Sequence, residues 1–264
     1  MDLLTTAEFY NALAPMYDTM TDPEKRFIRE RPFFHLLTAR YRVLTALDAG
    51  AGTGFHSLLL SRLGVAVTAV DCSPAMSAEL TVKAKKEHVK IECVTADLRE
   101  LSTKIPRTFD AAFCMGNTMA HMQSPDDILA VLKELSLILL PGGTLFIQVL
   151  NYEKIAALRP EILNVSGNGS SSFTRSYTYG SGNGSESAAS APITFSIRRS
   201  THGNQSDARK SDVIRTMLRP VFREELLVLL EGAGFESIKS YGAISLLAFD
   251  PEKSTDLLII AQKS

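Results

Sequence analysis

Residues 48–54 of this chain read Asp-Ala-Gly-Ala-Gly-Thr-Gly, so three glycines alternate with other residues directly after the apolar run at residues 43–47. A helix-like segment begins immediately afterwards, at Phe55. A glycine-rich turn between a strand and a helix allows the backbone to turn tightly and to approach a ligand at the start of the helix. The run therefore predicts an α/β fold that carries a ligand-binding loop.

The same alternation of strand and helix continues to about residue 152. Strand-like apolar runs lie at residues 43–48, 65–70, 89–94, 109–115 and 144–150, and helix-like runs lie at residues 55–63, 74–88 and 125–139. We expect the Pro-Gly-Gly run at residues 141–143 to end the third helix, because proline and glycine stop helices. Strands that are apolar on both faces are typical of a parallel sheet covered by helices on both sides, which is a doubly wound α/β domain.

The flanking regions follow other patterns. Residues 1–41 are helical in pattern and rich in aromatic side chains, whereas residues 164–192 are rich in Gly, Ser and Asn. Period-2 alternation at residues 173–179, 193–197 and 213–218 predicts a small inserted antiparallel sheet, with a disordered linker as the alternative. A helix at residues 222–231 and two strands at 235–241 and 256–261 complete the chain.

Composition excludes several kinds of partner. The chain of 264 residues has 28 Lys+Arg against 29 Asp+Glu, a net charge of −1, whereas nucleic-acid binders usually show a basic excess. No apolar run is long enough to cross a bilayer, and residues 1–6 do not resemble a signal peptide. We expect the three cysteines to be buried free thiols of a cytoplasmic protein. No spacing of His, Cys and acidic residues predicts a metal site.

Two ligand classes compete for the glycine-rich loop. A dinucleotide fingerprint needs Gly or Ala where this chain has Phe55, and its pyrophosphate would be repelled by Asp48 at the end of the first strand. S-adenosylmethionine is cationic and has no phosphate, so an acid beside the glycines favours it. Asp71 ends the second strand, where a carboxylate can accept both ribose hydroxyls. Asp97 and Leu98 follow the third strand and could contact an adenine, although Asp97 could equally be a helix cap.

Four stretches carry a resemblance to a known family. They are Asp48–Gly54, Val70-Asp71-Cys72-Ser73-Pro74-Ala75-Met76, the run from Cys114 and Met115 through Gly116-Asn117 to His121-Met122, and Asn151-Tyr152. On these stretches the chain resembles the class I S-adenosylmethionine-dependent methyltransferases, within them the glycine N-methyltransferase type. The resemblance implies a doubly wound, seven-stranded Rossmann-like sheet whose final strand is antiparallel, with the small antiparallel β insert after the fifth strand.

The resemblance also implies the cofactor, S-adenosyl-L-methionine, and the residues that bind it. These residues are Tyr17, Asp48, Ala49, Gly50, Gly52, Gly54, Asp71, Cys72, Met76, Asp97, Leu98 and Met115. An N-terminal segment would fold over the methionine end of the cofactor, with Tyr10, Tyr17 and Arg26 as the candidates for that contact. The implied organisation is a covering segment (1–41), a cofactor-binding core (42–152), a β-rich lid insert with flexible Gly/Ser loops (153–220) and a C-terminal helix with the last two core strands (221–264).

One position departs from the glycine N-methyltransferase pattern. Leu150 stands where those enzymes carry an arginine, before the Asn-Tyr pair, that holds the substrate carboxylate. An apolar side chain cannot make a bidentate contact with a carboxylate. Glycine is therefore a doubtful substrate.

The predicted function is methyl transfer to nitrogen or oxygen of a small-molecule acceptor. Asn117 and Tyr152 are expected to position the acceptor, and His121 is expected to line the site, either as a general base or as an ordinary histidine at the start of a helix. The insert is expected to be a lid over the acceptor or, alternatively, a dimer contact, so the protein would be a monomer or homodimer without nucleic-acid or membrane partners. The alternatives are a nucleotide-cofactor oxidoreductase of the NAD(P) type and a non-catalytic cofactor-binding protein.

Overall fold

The computed structural model describes residues 3–168, 171–180, 190–201 and 211–264. The strands are β1 (Thr45–Ala49), β2 (Ala66–Asp71), β3 (Ile91–Thr95), β4 (Phe109–Cys114), β5 (Leu139–Leu150), β6 (Ile162–Asn168), β7 (Ser171–Tyr179), β8 (Ile193–Thr201), β9 (Ser211–Leu218), β10 (Phe235–Gly242), β11 (Leu247–Ala248) and β12 (Asp256–Lys263). The α-helices are α1 (Thr6–Leu13), α2 (Tyr17–Thr21), α3 (Pro23–Arg40), α4 (Phe55–Arg62), α5 (Pro74–Lys86), α6 (Leu101–Lys104), α7 (Pro125–Leu137), α8 (Tyr152–Leu158) and α9 (Arg223–Gly232).

The larger sheet has eight strands in the order β3-β2-β1-β4-β5-β12-β10-β11. Strands β1 to β5 are parallel, whereas β12 is antiparallel to both β5 and β10. Helices cover the sheet, and most residues of β1, β2 and β4 are buried, as their apolar sequences require. The predicted seven-stranded sheet with an antiparallel last strand is confirmed, and the two-residue strand β11 is added at its edge.

The smaller sheet is antiparallel, with the order β6-β7-β8-β9, and it follows β5 and α8 in the chain. Its three predicted strands are confirmed, so the disordered-linker alternative is wrong for the described residues. Strand β6 was not predicted because its sequence lacks period-2 alternation and its apolar side chains Ile162 and Val165 are exposed. The predicted flexible Gly/Ser loops fall largely on residues 169–170, 181–189 and 202–210, which lie outside the described residues.

The insert sheet is packed onto the rest of the molecule by apolar side chains. Phe173 and Ile197 share one buried cluster with Phe9 of α1 and Met76 of α5. Tyr177 belongs to the main core cluster. The insert is therefore held both by the parallel domain and by the N-terminal helices.

Two local predictions need correction. Helix α7 ends at Leu137, before the Pro-Gly-Gly run, and residues 141–143 fall within the span of β5, whose register with β4 shifts in this region. Helix α8 was not predicted at all; the Asn151 side chain caps it by accepting from the Lys154 backbone N–H at 3.1 Å. No helix among the described residues is both long and apolar enough to cross a membrane.

Candidate functional site

The glycine-rich loop leaves β1 and turns across the end of β2. The backbone N–H groups of Gly50 and Ala51 both donate to the Val70 carbonyl, at 2.8 and 2.9 Å. Gly50 has φ +80°, and a Cβ there would meet the Thr118 hydroxyl at 2.5 Å. Gly52 has φ +55° with open space beside its Cα. The loop thus needs glycine at both positions, and the space at Gly52 is available to a ligand.

The two carboxylates at the ends of β1 and β2 have different surroundings. Asp71 accepts from the backbone N–H groups of Gly52 (2.7 Å) and Ser73 (2.8 Å), and its side chain lines a cavity of about 610 Å³. Asp48 is buried and accepts from the Ser57 hydroxyl at 2.5 Å. Burial raises the pKa of both carboxyls. Asp71 is the one that can offer free lone pairs to a ligand.

Asp97 is placed at the far side of the same cavity by the end of β3. Its carboxylate caps the following turn, accepting from the Arg99 backbone N–H at 2.9 Å, and it pairs with the Arg99 guanidinium at 2.7 Å. Arg99 also donates to Asp127 at 2.7 Å. The hydrogen bonds and positive charge of Arg99 hold the pKa of the Asp97 carboxyl below its usual range, so Asp97 is both a cap and a cavity-lining acid.

The cavity brings together most of the predicted cofactor residues. Those that line it are Tyr17, Gly50, Gly52, Asp71, Cys72, Asp97, Leu98 and Met115. Four predicted residues do not line it, namely Asp48, Ala49, Gly54 and Met76. Gly54 precedes α4 and faces Leu80, and Met76 packs beneath α1. These four support the loop and the helices around the cavity rather than its surface.

The N-terminal segment closes the cavity from the opposite side. Tyr10, Tyr17 and Arg26 all line it, as the resemblance implies. Residues 3–7 line it as well, and Leu4 is tied to the insert by its N–H to the Arg215 carbonyl (2.9 Å) and by its carbonyl to the Thr216 hydroxyl (3.1 Å). Sequence reasoning missed residues 3–7, because nothing in their pattern indicates pairing with a strand more than 200 residues away.

A second cavity of about 720 Å³ adjoins the first beneath the insert sheet. Both cavities are lined by Tyr10, Tyr17, Arg26, Met115 and His121, among other residues. The insert contributes residues from all four of its strands, including Ser166, Arg175, Tyr177, Phe195 and Leu218. Leu150 lines the second cavity too. This arrangement joins a chamber lined by the glycine loop and the strand-end acids to a second chamber roofed by the insert.

His121 lies where the two cavities meet. A hydrogen bond of 2.9 Å joins its Nε2 to the Tyr10 hydroxyl, with the direction set by the ring tautomer, and its buried Nδ1 has no hydrogen-bond partner among the described residues. Burial lowers the pKa of His121 to about 4. The imidazole is therefore neutral near pH 7.

Asn117 and Tyr152 form a hydrogen-bonded pair. The Asn117 amide donates to the Tyr152 hydroxyl at 3.0 Å, and its Oδ1 accepts from the Leu150 N–H at 3.1 Å. Asn117 has φ +73°, a conformation that Asn tolerates better than most residues. Asn117 lines the second cavity, whereas Tyr152 is fully buried and lines neither. Tyr152 therefore does not face the ligand and would act on it through Asn117.

Several cavity residues were missed by sequence reasoning. Besides residues 3–7 they include His56, Arg99 and Arg175. A single charged residue in a helix, turn or strand gives no signal that distinguishes it from a surface residue. Among the described residues no group of three potential metal ligands lies close enough together to hold an ion.

Comparison with known proteins gives a family match at the core. A family profile described as "Methyltransferase domain" matches residues 46–143. The glycine/sarcosine/dimethylglycine N-methyltransferase of Actinopolyspora halophila is 29% identical over 237 residues, covering 89% of this chain and 39% of the relative. The glycine/sarcosine N-methyltransferase of Aphanothece halophytica is 30% identical over 148 residues, covering 56% of each. The chain thus spans about half or less of the length of these curated relatives.

A solved structure matches nearly the whole chain. An S-adenosylmethionine-dependent methyltransferase from Clostridium acetobutylicum superposes with a TM-score of 0.79 at 16% identity, covering 97% of this chain and 99% of that one. The likeness therefore includes the insert and the N-terminal segment as well as the parallel domain. At this identity it shows a shared fold.

Proposed function

We propose that this chain is a class I methyltransferase, similar in sequence to the glycine/sarcosine N-methyltransferases, and that it transfers a methyl group from S-adenosylmethionine to a small acceptor. The observation that carries the proposal is the pair of adjoining cavities, one lined by the glycine loop and strand-end acids, the other roofed by the insert. The neutral histidine His121 stands between them.

The first cavity fits the cofactor. Asp71 retains lone pairs for the two ribose hydroxyls, Asp97 and Leu98 are placed for the adenine, and the space beside Gly52 admits the ligand next to the backbone. Arg26 and Tyr17 lie at the junction of the cavities, where they can bind the methionine end. When bound, S-adenosylmethionine supplies an electrophilic methyl carbon that an acceptor nitrogen or oxygen attacks in line.

The structure disfavours a dinucleotide in the same place. Phe55 occupies the first position of α4 and lines the cavity, with the Arg26 guanidinium 3.9 Å from its ring centre. The aromatic ring stands where a pyrophosphate would need small side chains and a free helix N-terminus. These contacts support S-adenosylmethionine over the NAD(P)-type alternative.

We assign the second cavity to the acceptor. His121 and Asn117 are the described polar groups that follow β4 and face it. His121 is neutral at pH 7 and can remove a proton from an acceptor, while Asn117, fixed by Tyr152 and the Leu150 N–H, can orient it. The insert sheet excludes water from the chamber as a lid would.

A methyl-transfer screen tests the proposal. The full chain is incubated with S-adenosylmethionine and panels of small amines, phenols and carboxylates, and formation of S-adenosylhomocysteine is measured against an acceptor-free blank. At least one panel member should raise the rate above the blank, and His121→Ala should lower kcat about a hundredfold. His35→Ala, at an exposed position on α3, is the matched control. Cofactor binding without acceptor-dependent turnover on any panel would favour the non-catalytic alternative.

A further inference from the structure

The charged groups that line the acceptor cavity are not equally neutralised. Three cations line it, Arg26, Arg29 and Arg175. Arg26 and Arg29 both pair with Glu30, with nitrogen–oxygen distances of 3.1 and 2.8 Å. Among the described residues no carboxylate pairs with Arg175. The acceptor cavity therefore contains one guanidinium without a counter-ion.

Arg175 also donates fewer hydrogen bonds than its guanidinium group allows. Its Nη2 donates to the Met20 carbonyl at 3.3 Å, and its buried Nε has no partner among the described residues. Burial lowers the pKa of Arg175, while the neighbouring hydroxyls of Tyr17 and Tyr10 oppose that shift. A partly desolvated guanidinium that lacks both a counter-ion and a partner for Nε costs free energy, which an anionic ligand can repay.

We propose that Arg175 binds a carboxylate group of the methyl acceptor and so selects acidic acceptors. The inference rests on the proposed function of the same site. In this proposal Arg175, on β7 of the insert, supplies the positive charge that Leu150, at the end of β5, cannot supply. Because Asp22, Glu30 and Asp256 also line the cavity and would repel a second negative charge, the single guanidinium of Arg175 suits a monoanionic carboxylate better than a dianionic phosphate.

The position of Arg175 separates it from the cofactor site. Arg175 lines the acceptor cavity alone, whereas Arg26 lines both cavities. Arg26 is consequently the better placed of the two for the methionyl carboxylate of the cofactor. Arg175 lies on β7 of the insert, two residues before Tyr177, which lines the acceptor cavity as well.

Matched pairs of compounds test the assignment. Glycine is compared with glycinamide, sarcosine with its amide, 4-hydroxybenzoate with 4-hydroxybenzamide, and phosphoethanolamine represents phosphates. Binding to the full chain saturated with S-adenosylhomocysteine is measured by calorimetry, and turnover is measured with S-adenosylmethionine. The variants are Arg175→Gln, Arg175→Lys and the control Arg198→Gln, at an exposed position on the neighbouring strand β8.

At least one carboxylate should bind or react about tenfold better than its amide, a difference expected of a charge-assisted hydrogen bond. Arg175→Gln should remove that preference by raising Kd or KM while S-adenosylhomocysteine affinity stays within about twofold, and Arg175→Lys should keep part of it. Arg198→Gln should behave as wild type. An unchanged melting temperature shows that each variant is folded, and Arg175→Lys remains informative if the Gln variant does not fold.

The inference would be overturned by equal binding and turnover of acids and amides with wild type, by failure of every acid to bind, or by an equal loss of S-adenosylhomocysteine affinity in Arg175→Gln. Preference for the phosphate over every carboxylate would also overturn it. The proposed function fails separately, when neither cofactor binding nor methyl transfer is detected. Transfer to neutral acceptors that Arg175→Gln leaves unchanged contradicts only the role of Arg175.

Discussion

At the residue scale, the two carboxylates at the ends of β1 and β2 have different roles. One supports the fold and the other faces the cofactor cavity. Asp48 has its hydrogen bond to Ser57 inside the protein, where it fixes the start of α4 against β1. Asp71 uses its two oxygens to hold the backbone of Gly52 and Ser73 and still faces the cavity. We therefore expect Asp71, and not Asp48, to determine cofactor affinity directly.

Replacing Asp71 by Asn tests this expectation. The change removes a charged acceptor for the ribose hydroxyls, and hydrogen bonds to charged groups contribute about 1.5–3 kcal/mol. The Kd for S-adenosylhomocysteine, measured by calorimetry, should rise by about one to two orders of magnitude. Asp126→Asn, at an exposed position of α7, is the matched control. Equal affinities in the two variants would remove Asp71 from the binding site.

His121 makes a measurable contribution to the pH dependence of stability. Its pKa falls from 6.5 to about 4 on folding, so between these values the unfolded chain binds more protons and stability decreases as the pH falls. Between pH 7 and pH 5 this group should reduce the free energy of unfolding by about 2 kcal/mol.

Urea unfolding of wild type and His121→Asn at both pH values measures that contribution. The variant should lose about 2 kcal/mol less than wild type on acidification, because Asn does not titrate. The exposed His35→Asn variant should behave as wild type. The same acid loss in His121→Asn would show that the imidazole is not held neutral by burial.

The sequence predicts site residues that directly follow strands of the parallel sheet better than it predicts site residues contributed by other elements. Asp71 and Asp97 line the cofactor cavity because parallel strands bring their carboxyl ends to one edge. Arg175 could not be assigned, because its role depends on how the insert folds back over β5. Met76 matches the family motif, yet it packs under α1, since the motif does not record which way a side chain points.

At the scale of elements, α1 connects the cofactor site to both sheets. Asn11 accepts hydrogen bonds from the Ser73 hydroxyl (2.7 Å) and the Ala75 N–H (3.2 Å) at the start of α5. Two residues earlier, Phe9 packs into the apolar cluster with the insert. The helix also carries Tyr10, the partner of His121. Its attachment to α5 should therefore affect binding in both cavities.

The Asn11→Ala variant removes that attachment. Loss of two hydrogen bonds, each with a net contribution of about 1 kcal/mol, should weaken S-adenosylhomocysteine binding several-fold and speed hydrogen exchange of the α1 amides. The Asn11→Asp variant keeps an accepting oxygen and should bind more tightly than Asn11→Ala. If both variants bind as wild type does, α1 is not coupled to the cofactor site through α5.

Elements with a clear hydrophobic period could be predicted from the sequence, and those without one could not. Strands β1, β2 and β4 are buried as expected, whereas the edge strand β3 is only partly buried. Helix α7 has the expected buried face, because Ile128, Leu132 and Leu135 recur at helical spacing. Strand β6 has exposed apolar side chains and is stabilised by pairing with β7 instead. Helix α8 depends on the Asn151 cap, which was interpreted as part of a family motif.

At the scale of the whole molecule, the N-terminal segment, the insert and the parallel domain enclose one continuous site. The hydrogen bonds of Leu4 to Arg215 and Thr216 fasten the N-terminal segment to β9 above the cofactor cavity. Residues from all three parts line the two chambers. Ligand entry should require the segment and the insert to open together, because they are tied to each other as well as to the core.

Hydrogen exchange with mass spectrometry measures this coupling. Saturating S-adenosylhomocysteine should slow exchange both in residues 3–13 and in 211–218, although β9 contributes only Thr216 and Met217 to the cofactor cavity. Peptides that cover α9 serve as the internal reference, because no residue of this helix lines either cavity. Protection restricted to the glycine loop and strand ends would show that the segment and the insert move independently of the cofactor.

Titration calorimetry on the full chain tests whether the cavity over β1 to β4 binds S-adenosylmethionine. S-adenosylmethionine and S-adenosylhomocysteine should each bind at one site per chain, and NAD⁺ and NADP⁺ should produce no heat beyond dilution under the same conditions. Binding of a nicotinamide dinucleotide together with no binding of S-adenosylmethionine would contradict the account.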